Sequence, residues 1–192
     1  MSRNTKIAIG ILAGLLVVCM CLGAGALLTL RSFGKAITQS IKTNPTDIAQ
    51  IASGIAQFDT PPGYKVNAMS IFGIEMLVIA PTYPGKPIFM MMQYPANQNF
   101  DSDQFQKQIE QSVGQQYFGR GMNFRNLGQT PAYFRGQRVD LIIMEGTTNT
   151  GKTILEEMGA FQGNNGSVLL SIMGERATWD QATVDTFLHS IR

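Results

Sequence analysis

Val139-Asp-Leu-Ile-Ile-Met-Glu145 runs directly into Gly146-Thr-Thr-Asn-Thr-Gly151-Lys152-Thr153, and the reading of this stretch decides the fold. Its second half matches the phosphate-loop pattern G-x-x-x-x-G-K-[ST] at every fixed position. In a true site the loop amides cradle phosphates, the lysine reaches the terminal phosphates and the threonine holds magnesium. That chemistry requires the loop to open a helix whose amino end faces the anion. The residues that follow, Thr153 to Gln162, start β-branched, contain Gly159 and run into Gly163-Asn164-Asn165-Gly166. Asn-Gly between apolar runs is the strongest short-range hairpin signal. Only residues 154–192 remain, too few for the parallel strands and magnesium-binding aspartate of a nucleotide-hydrolysing core. Gly146, Gly151, Lys152 and Thr153 therefore read as a polar hairpin turn, Thr147 to Lys152, between antiparallel strands.

Working outward, tight turns recur. Ala132 to Phe134 and Arg138 to Glu145 flank Gly136-Gln137, with a modest strand candidate at Phe124 to Gln129. Thr153 to Gln162 and Ser167 to Met173 form the Asn-Gly hairpin. Upstream, Tyr64 to Phe72, Ile74 to Ala80 and Ile88 to Tyr94 form a meander. Short connections mean antiparallel pairing, because parallel strands need long crossovers. Three helices complete the pattern. Ile48, Ile51, Ala52, Ile55 and Phe58 make one apolar stripe of helical period, so residues 46–57 read as a short helix, with Pro45 suited to its first turn. A second helix starts at Asp101 or Ser102, with Phe105, Ile109, Val113 and Tyr117 every four residues and a glutamine-rich wet face. A third carries Val184, Phe187, Leu188 and Ile191, and Thr178 with Gln181 reads as its capping box. The expectation is one α+β domain over residues 45–192: a twisted antiparallel sheet of about seven strands covered by helices.

Residues 1–6 form a short basic tail. Ile7 to Leu30 carries no charged side chain and is bounded by Lys6 and Arg31. As a helix at about 1.5 Å per residue it runs roughly 36 Å, enough to cross a hydrocarbon core of about 30 Å. It reads as a transmembrane helix. The alternative is a signal peptide cleaved near Ala24-Gly25-Ala26. Residues 31–44 read as a juxtamembrane stalk. Basic residues flank the span almost equally, so the positive-inside rule does not orient it. A short tail before a first span more often stays inside, which places the domain outside the cytoplasmic membrane. Cys19 and Cys21, the two cysteines, both lie in the span.

The remaining chemistry is sparse. His189 is the single histidine, and Asp185 lies at helical spacing from it. With no cysteine in the domain, nothing supplies a zinc ligand set. Eleven methionines include Met90-Met91-Met92, and thioethers are soft copper ligands. In a strand, though, Met90 and Met92 face one side and Met91 the other, as adaptable core filler does. Arg120, Arg125, Arg135 and Arg138 interleave with Tyr117, Phe118, Phe124, Tyr133 and Phe134. With a net charge of only +2 this reads as a partner surface rather than a nucleic-acid site. No cofactor is expected.

The order of elements, together with Phe58-Asp-Thr-Pro-Pro-Gly-Tyr64, Tyr133-Phe-Arg-Gly-Gln-Arg-Val139 and the ending Phe187-Leu-His-Ser-Ile-Arg192, resembles the PsbP-like superfamily. It also resembles single-span bacterial membrane proteins built on that plan. The resemblance implies an α/β/α sandwich over residues 45–192 and a binding or assembly module rather than an enzyme. It supplies no catalytic residue to carry over. The function expected is a membrane-anchored, non-enzymatic module with a protein partner. The rival is a nucleotide- or metal-dependent enzyme using Gly146 to Thr153.

Overall fold

The structure, a computed structural model, describes residues 41–42, 44–71, 73–95 and 123–192. Helix α1 (Pro45–Ile55) begins where the Asn44 side chain accepts a hydrogen bond from Thr46 N at 3.0 Å, with Pro45 pre-set for the first turn and Asp47 at its positive end. The described strands are β1 (Ile41–Lys42), β2 (Tyr64–Ile71), β3 (Ile74–Pro81), β4 (Ile88–Gln93), β5 (Asn123–Phe134), β6 (Gln137–Thr147), β7 (Thr153–Gln162) and β8 (Ser167–Glu175). Helix α2 (Gln181–Ser190) closes the chain.

One sheet holds all the strands in the order β1-β2-β3-β4-β8-β7-β6-β5, every neighbouring pair antiparallel. It is two meanders sewn together where β4 meets β8. Four successive antiparallel pairings separate β4 from β5, so those two strands run the same way without touching. The α+β class and the antiparallel sheet agree with the sequence reading: seven long strands, the two-residue β1, and two helices among the described residues.

Side-chain alternation gives the sheet two faces. On the first, Leu77, Ile79, Phe89, Met91, Leu141, Leu170 and Ile172 are fully buried beneath Ile55 of α1 and Val184 and Phe187 of α2. The Phe89 and Phe187 rings stand 4.2 Å apart at the centre of this core, and Phe134 meets Phe161 edge-on at 5.0 Å. The second face buries Met92, Tyr94, Ile142, Met144, Met158 and Leu169.

Several expectations are corrected. The two short strands over 124–134 are one strand, β5, because Asn126 and Gly128 bracket a bulge that lets the ladder with β6 continue past Gly128 and Pro131. The β5–β6 turn residues are Arg135 and Gly136, both at positive φ (55° and 68°), and Gln137 already belongs to β6. Asp180, not Thr178, caps α2. Its carboxylate accepts from Thr183 N at 3.1 Å, and that backbone bond holds it below its ordinary range. Thr178 lies in a preceding 3-10 turn (Arg176–Thr178). Part of the expected stalk joins the domain, since Ile41 and Lys42 pair with Met69 and Ala68 of β2. The predicted span at 7–30, the rest of the stalk and the helix starting at 101–102 lie outside the described residues. Among those residues no helix is long and apolar enough to cross a membrane.

Candidate functional site

The phosphate-loop lookalike lies at a hairpin tip. Thr148 N donates to Lys152 O at 2.8 Å, Gly151 N to Thr148 O at 3.0 Å, and Gly151 takes φ 80°. Lys152 N donates to Thr148 Oγ1 at 3.0 Å, so the turn closes on itself. Lys152 Nζ reaches Glu175 on β8 at 2.8 Å. Thr153 starts β7 rather than a helix. The amides are not gathered at a helix end, and the lysine has a carboxylate partner.

The arginines do not form one cluster. Arg125 donates to Glu145 at 2.6 Å, and Arg176 donates to the other oxygen of the same carboxylate. Arg138 pairs with Asp140 at 3.0 Å on its own strand. By register, Arg125 shares the helix-covered face with Glu145, whereas Arg138 lies on the opposite face beside Tyr133. Arg135 has a structural task. Its two terminal nitrogens donate to Arg192 O at 2.8 Å and to Asn164 Oδ1 at 2.7 Å, stitching two hairpin tips to the last residue of the chain. Arg120 lies outside the described residues.

The other candidates are equally bland. His189 Nδ1 sits 2.7 Å from the backbone oxygen of Asp185, while the Asp185 carboxylate accepts from Gln181. Met91 is buried on the first face, and Met69, Met76, Met90, Met92, Met144, Met158 and Met173 fall on the second. Among the described residues no three His, Cys, Asp or Glu side chains converge on a metal-binding point.

Three features escape the sequence reading. First, edge strand β5 is largely exposed and carries Leu127 at its bulge and Tyr133 near its end, 42% and 65% exposed. Second, Glu156 and Glu157 on β7 are 2% and 4% exposed. Burial pushes both carboxyls up to about 7, with a smaller contribution to Glu157 from the negative charge of Asp185. Glu156 Oε1 accepts from Ser171 Oγ at 2.8 Å, and its Oε2 is buried without a partner. Adjacent acids in a strand point to opposite faces, and β7 is buried on both, Glu157 facing the first core cluster and Glu156 the second. The pair Glu156-Glu157 was the available signal. Third, the β7–β8 hairpin tip caps the end of α1: Asn164 N donates to Ile55 O at 2.9 Å, Asn164 Nδ2 to Ser53 O at 2.7 Å, and Asn165 N to Gly54 O at 3.1 Å.

The arrangement defines an α+β domain with an antiparallel sheet and no assembled catalytic constellation among the described residues. No family model matches the chain, and no curated protein matches it. Among solved structures it is similar to LpqN, involved in cell envelope biogenesis in Mycobacterium tuberculosis. The identity is 10% and the TM-score 0.33, over 84% of this chain and 90% of that one. A likeness at that level carries no functional argument.

Proposed function

We propose that the chain is a membrane-anchored, non-enzymatic binding module that meets a protein partner along edge strand β5, outside the cytoplasmic membrane. The anchor is the uncharged stretch from Ile7 to Leu30, and the domain is read on the PsbP-like plan, with α1 and α2 over its first sheet face. The observation that carries the reading is the chemistry of β5. It is an edge strand of twelve residues, and it holds two of the three large hydrophobic side chains exposed among the described residues, Leu127 and Tyr133. Exposed aromatics on a strand edge suit recognition by an added strand or a packed loop. The bulge at Gly128 and Pro131 interrupt the edge, which discourages indiscriminate pairing and leaves side chains to set specificity.

In-cell photo-crosslinking tests this. A photoreactive residue at Tyr133 or Leu127 is expected to give a discrete protein adduct, and one at Lys65 on the opposite half of the sheet none. A compartment-sensitive reporter after Arg192 is expected to report from outside. Absence of an adduct at both β5 positions, or the same adducts at Lys65, overturns the surface assignment. An inside signal overturns the localisation.

A further inference from the structure

The sheet has two ends, and the chain enters it at one of them. Ile41 of β1 pairs with Met69, near the end of β2 at Ile71, and Lys42 then pairs with Ala68. The chain therefore arrives from beyond that end and heads toward the other. The entry end also carries the β2–β3 turn after Ile71, the β5–β6 turn at Arg135 and Gly136, the β7–β8 tip at Asn164 and Asn165, and Arg192. The opposite end carries the Thr147 to Lys152 hairpin, the Pro81 to Pro87 loop with Tyr83 79% exposed, and the 3-10 turn at Arg176. Strand β7 runs from one end to the other, Thr153 to Gln162, a span of about 30 Å.

We infer that the end of the sheet holding the β5–β6 and β7–β8 turns faces the lipid bilayer, and that chain geometry sets this orientation. The inference rests on the membrane-anchored reading, in which the span ends at Leu30. Residues 31–40 are then the whole leash between the bilayer and Ile41. They reach about 36 Å if fully extended and about 15 Å if helical. With the entry end toward the lipid, even the shorter leash suffices, and the chain runs straight into β1. With the domain inverted, the leash must climb the height of the sheet, about 30 Å, and then reverse direction to enter β1. That requires nearly every residue of the leash to be extended, which leaves it almost no conformational freedom.

Charge adds little to the preference. At the entry end Arg138 pairs with Asp140, Arg192 pairs with Asp59, and Arg135 donates to Arg192 O and to Asn164. The tether, not an attraction for anionic headgroups, therefore sets which end meets the lipid. Edge strand β5 then stands upright on the membrane, with Tyr133 at its foot and Arg125 away from the lipid.

The test places the full chain, carrying Cys19→Ser and Cys21→Ser, in vesicles of neutral phosphatidylcholine whose headgroups bear a fluorescence-quenching spin label. Single cysteines at exposed positions take the fluorophore: Gln57→Cys and Gln162→Cys at the entry end, Tyr83→Cys and Asn149→Cys at the other. Two positions at each end guard against one misfolded variant. Quenching is expected to be about threefold or more stronger at both entry-end positions, because about 30 Å separates the two ends. The ratio is expected to persist when phosphatidylglycerol is added. Equal quenching at the two ends, stronger quenching at Tyr83→Cys and Asn149→Cys, or a difference that appears only with the anionic lipid overturns the inference. Flotation is scored first. A chain that fails to float with the vesicles overturns the anchored reading and the orientation with it, whereas one that floats and is quenched evenly overturns the orientation alone.

Discussion

Replacing Glu156 with glutamine is expected to stabilise the protein above neutral pH and flatten its stability profile. Glu156 sits on the second sheet face with Met144 and Met173 as its cross-strand partners, and among the described residues Ser171 is the one hydrogen-bond donor to its carboxyl. Burial raises its folded-state pKa from 4.5 to about 7. A raised carboxyl pKa means that the folded state holds the proton more tightly than the unfolded chain. Stability is therefore greatest below about pH 4.5 and falls as pH climbs to about 7, after which both states are ionised and the curve levels. At about 1.4 kcal/mol per tenfold difference in proton affinity, the full cost is about 3 kcal/mol. Glutamine keeps the shape and can still accept from Ser171, but it places an amide nitrogen where Oε2 has no partner, at a cost of about 1–2 kcal/mol. The expected net gain at pH 8 is thus about 1–2 kcal/mol, or roughly 3–6 °C in melting temperature for a domain of this size. Circular-dichroism melts of wild type and Glu156→Gln at pH 5 and pH 8 measure it. Glu157, raised chiefly by burial and next by Asp185, titrates in the same window, so the variant retains part of the slope. A wild type no less stable at pH 8 than at pH 5, or a variant that loses as much as the wild type between them, refutes the reasoning.

Two further outcomes test the architecture. Gly163→Ala would place a methyl group 2.5 Å from Val168 Cγ2 and 2.7 Å from Ile55 O, so about 2 kcal/mol or more of stability is expected to be lost. An unchanged denaturation midpoint would mean that the hairpin tip does not seat on α1. Lys152→Ala removes one exposed ion pair with Glu175 and is expected to cost less than about 1 kcal/mol and to leave the β5 crosslink intact. Loss of the adduct in that variant would return Gly146 to Thr153 to consideration as a working loop.

Much of the sheet was legible because strand and turn chemistry are local. Asn165-Gly166 marked a real hairpin, and the β-branched, glycine-broken run after Lys152 pointed to a strand rather than a phosphate-binding helix. Pro45 and the Ile51–Ile55 stripe located α1 to within two residues. The misreadings are also local in origin. Gly128 and Pro131 look like the end of a strand, yet a bulge absorbs the irregularity because β6 supplies a continuous ladder. Thr178 competes with Asp180 as a cap on sequence grounds, and only the path of the 3-10 turn puts Asp180 at the helix start.

The candidate sites were far less legible. Arginines close in sequence were read as one surface, but strand alternation and the β5–β6 turn send Arg125, Arg135 and Arg138 to three different tasks. Nothing near Asn164 in sequence announces Ser53, Ile55 or Arg135. Their meeting depends on the β7–β8 hairpin tip reaching back to α1 and across to the β5–β6 turn.

By itself the sequence determined the α+β class, the positions of most elements and the antiparallel pairing of sequence neighbours, because periodicity and turn residues act over a few positions. Only the tertiary structure decided that β4 lies against β8, that β5 is an edge, that Glu156 and Glu157 are buried, and that Arg135 and Asn164 act as clamps. Each of these depends on contacts between residues far apart in the chain. No local preference encodes them, and they arise only when the two meanders close into one sheet beneath α1 and α2.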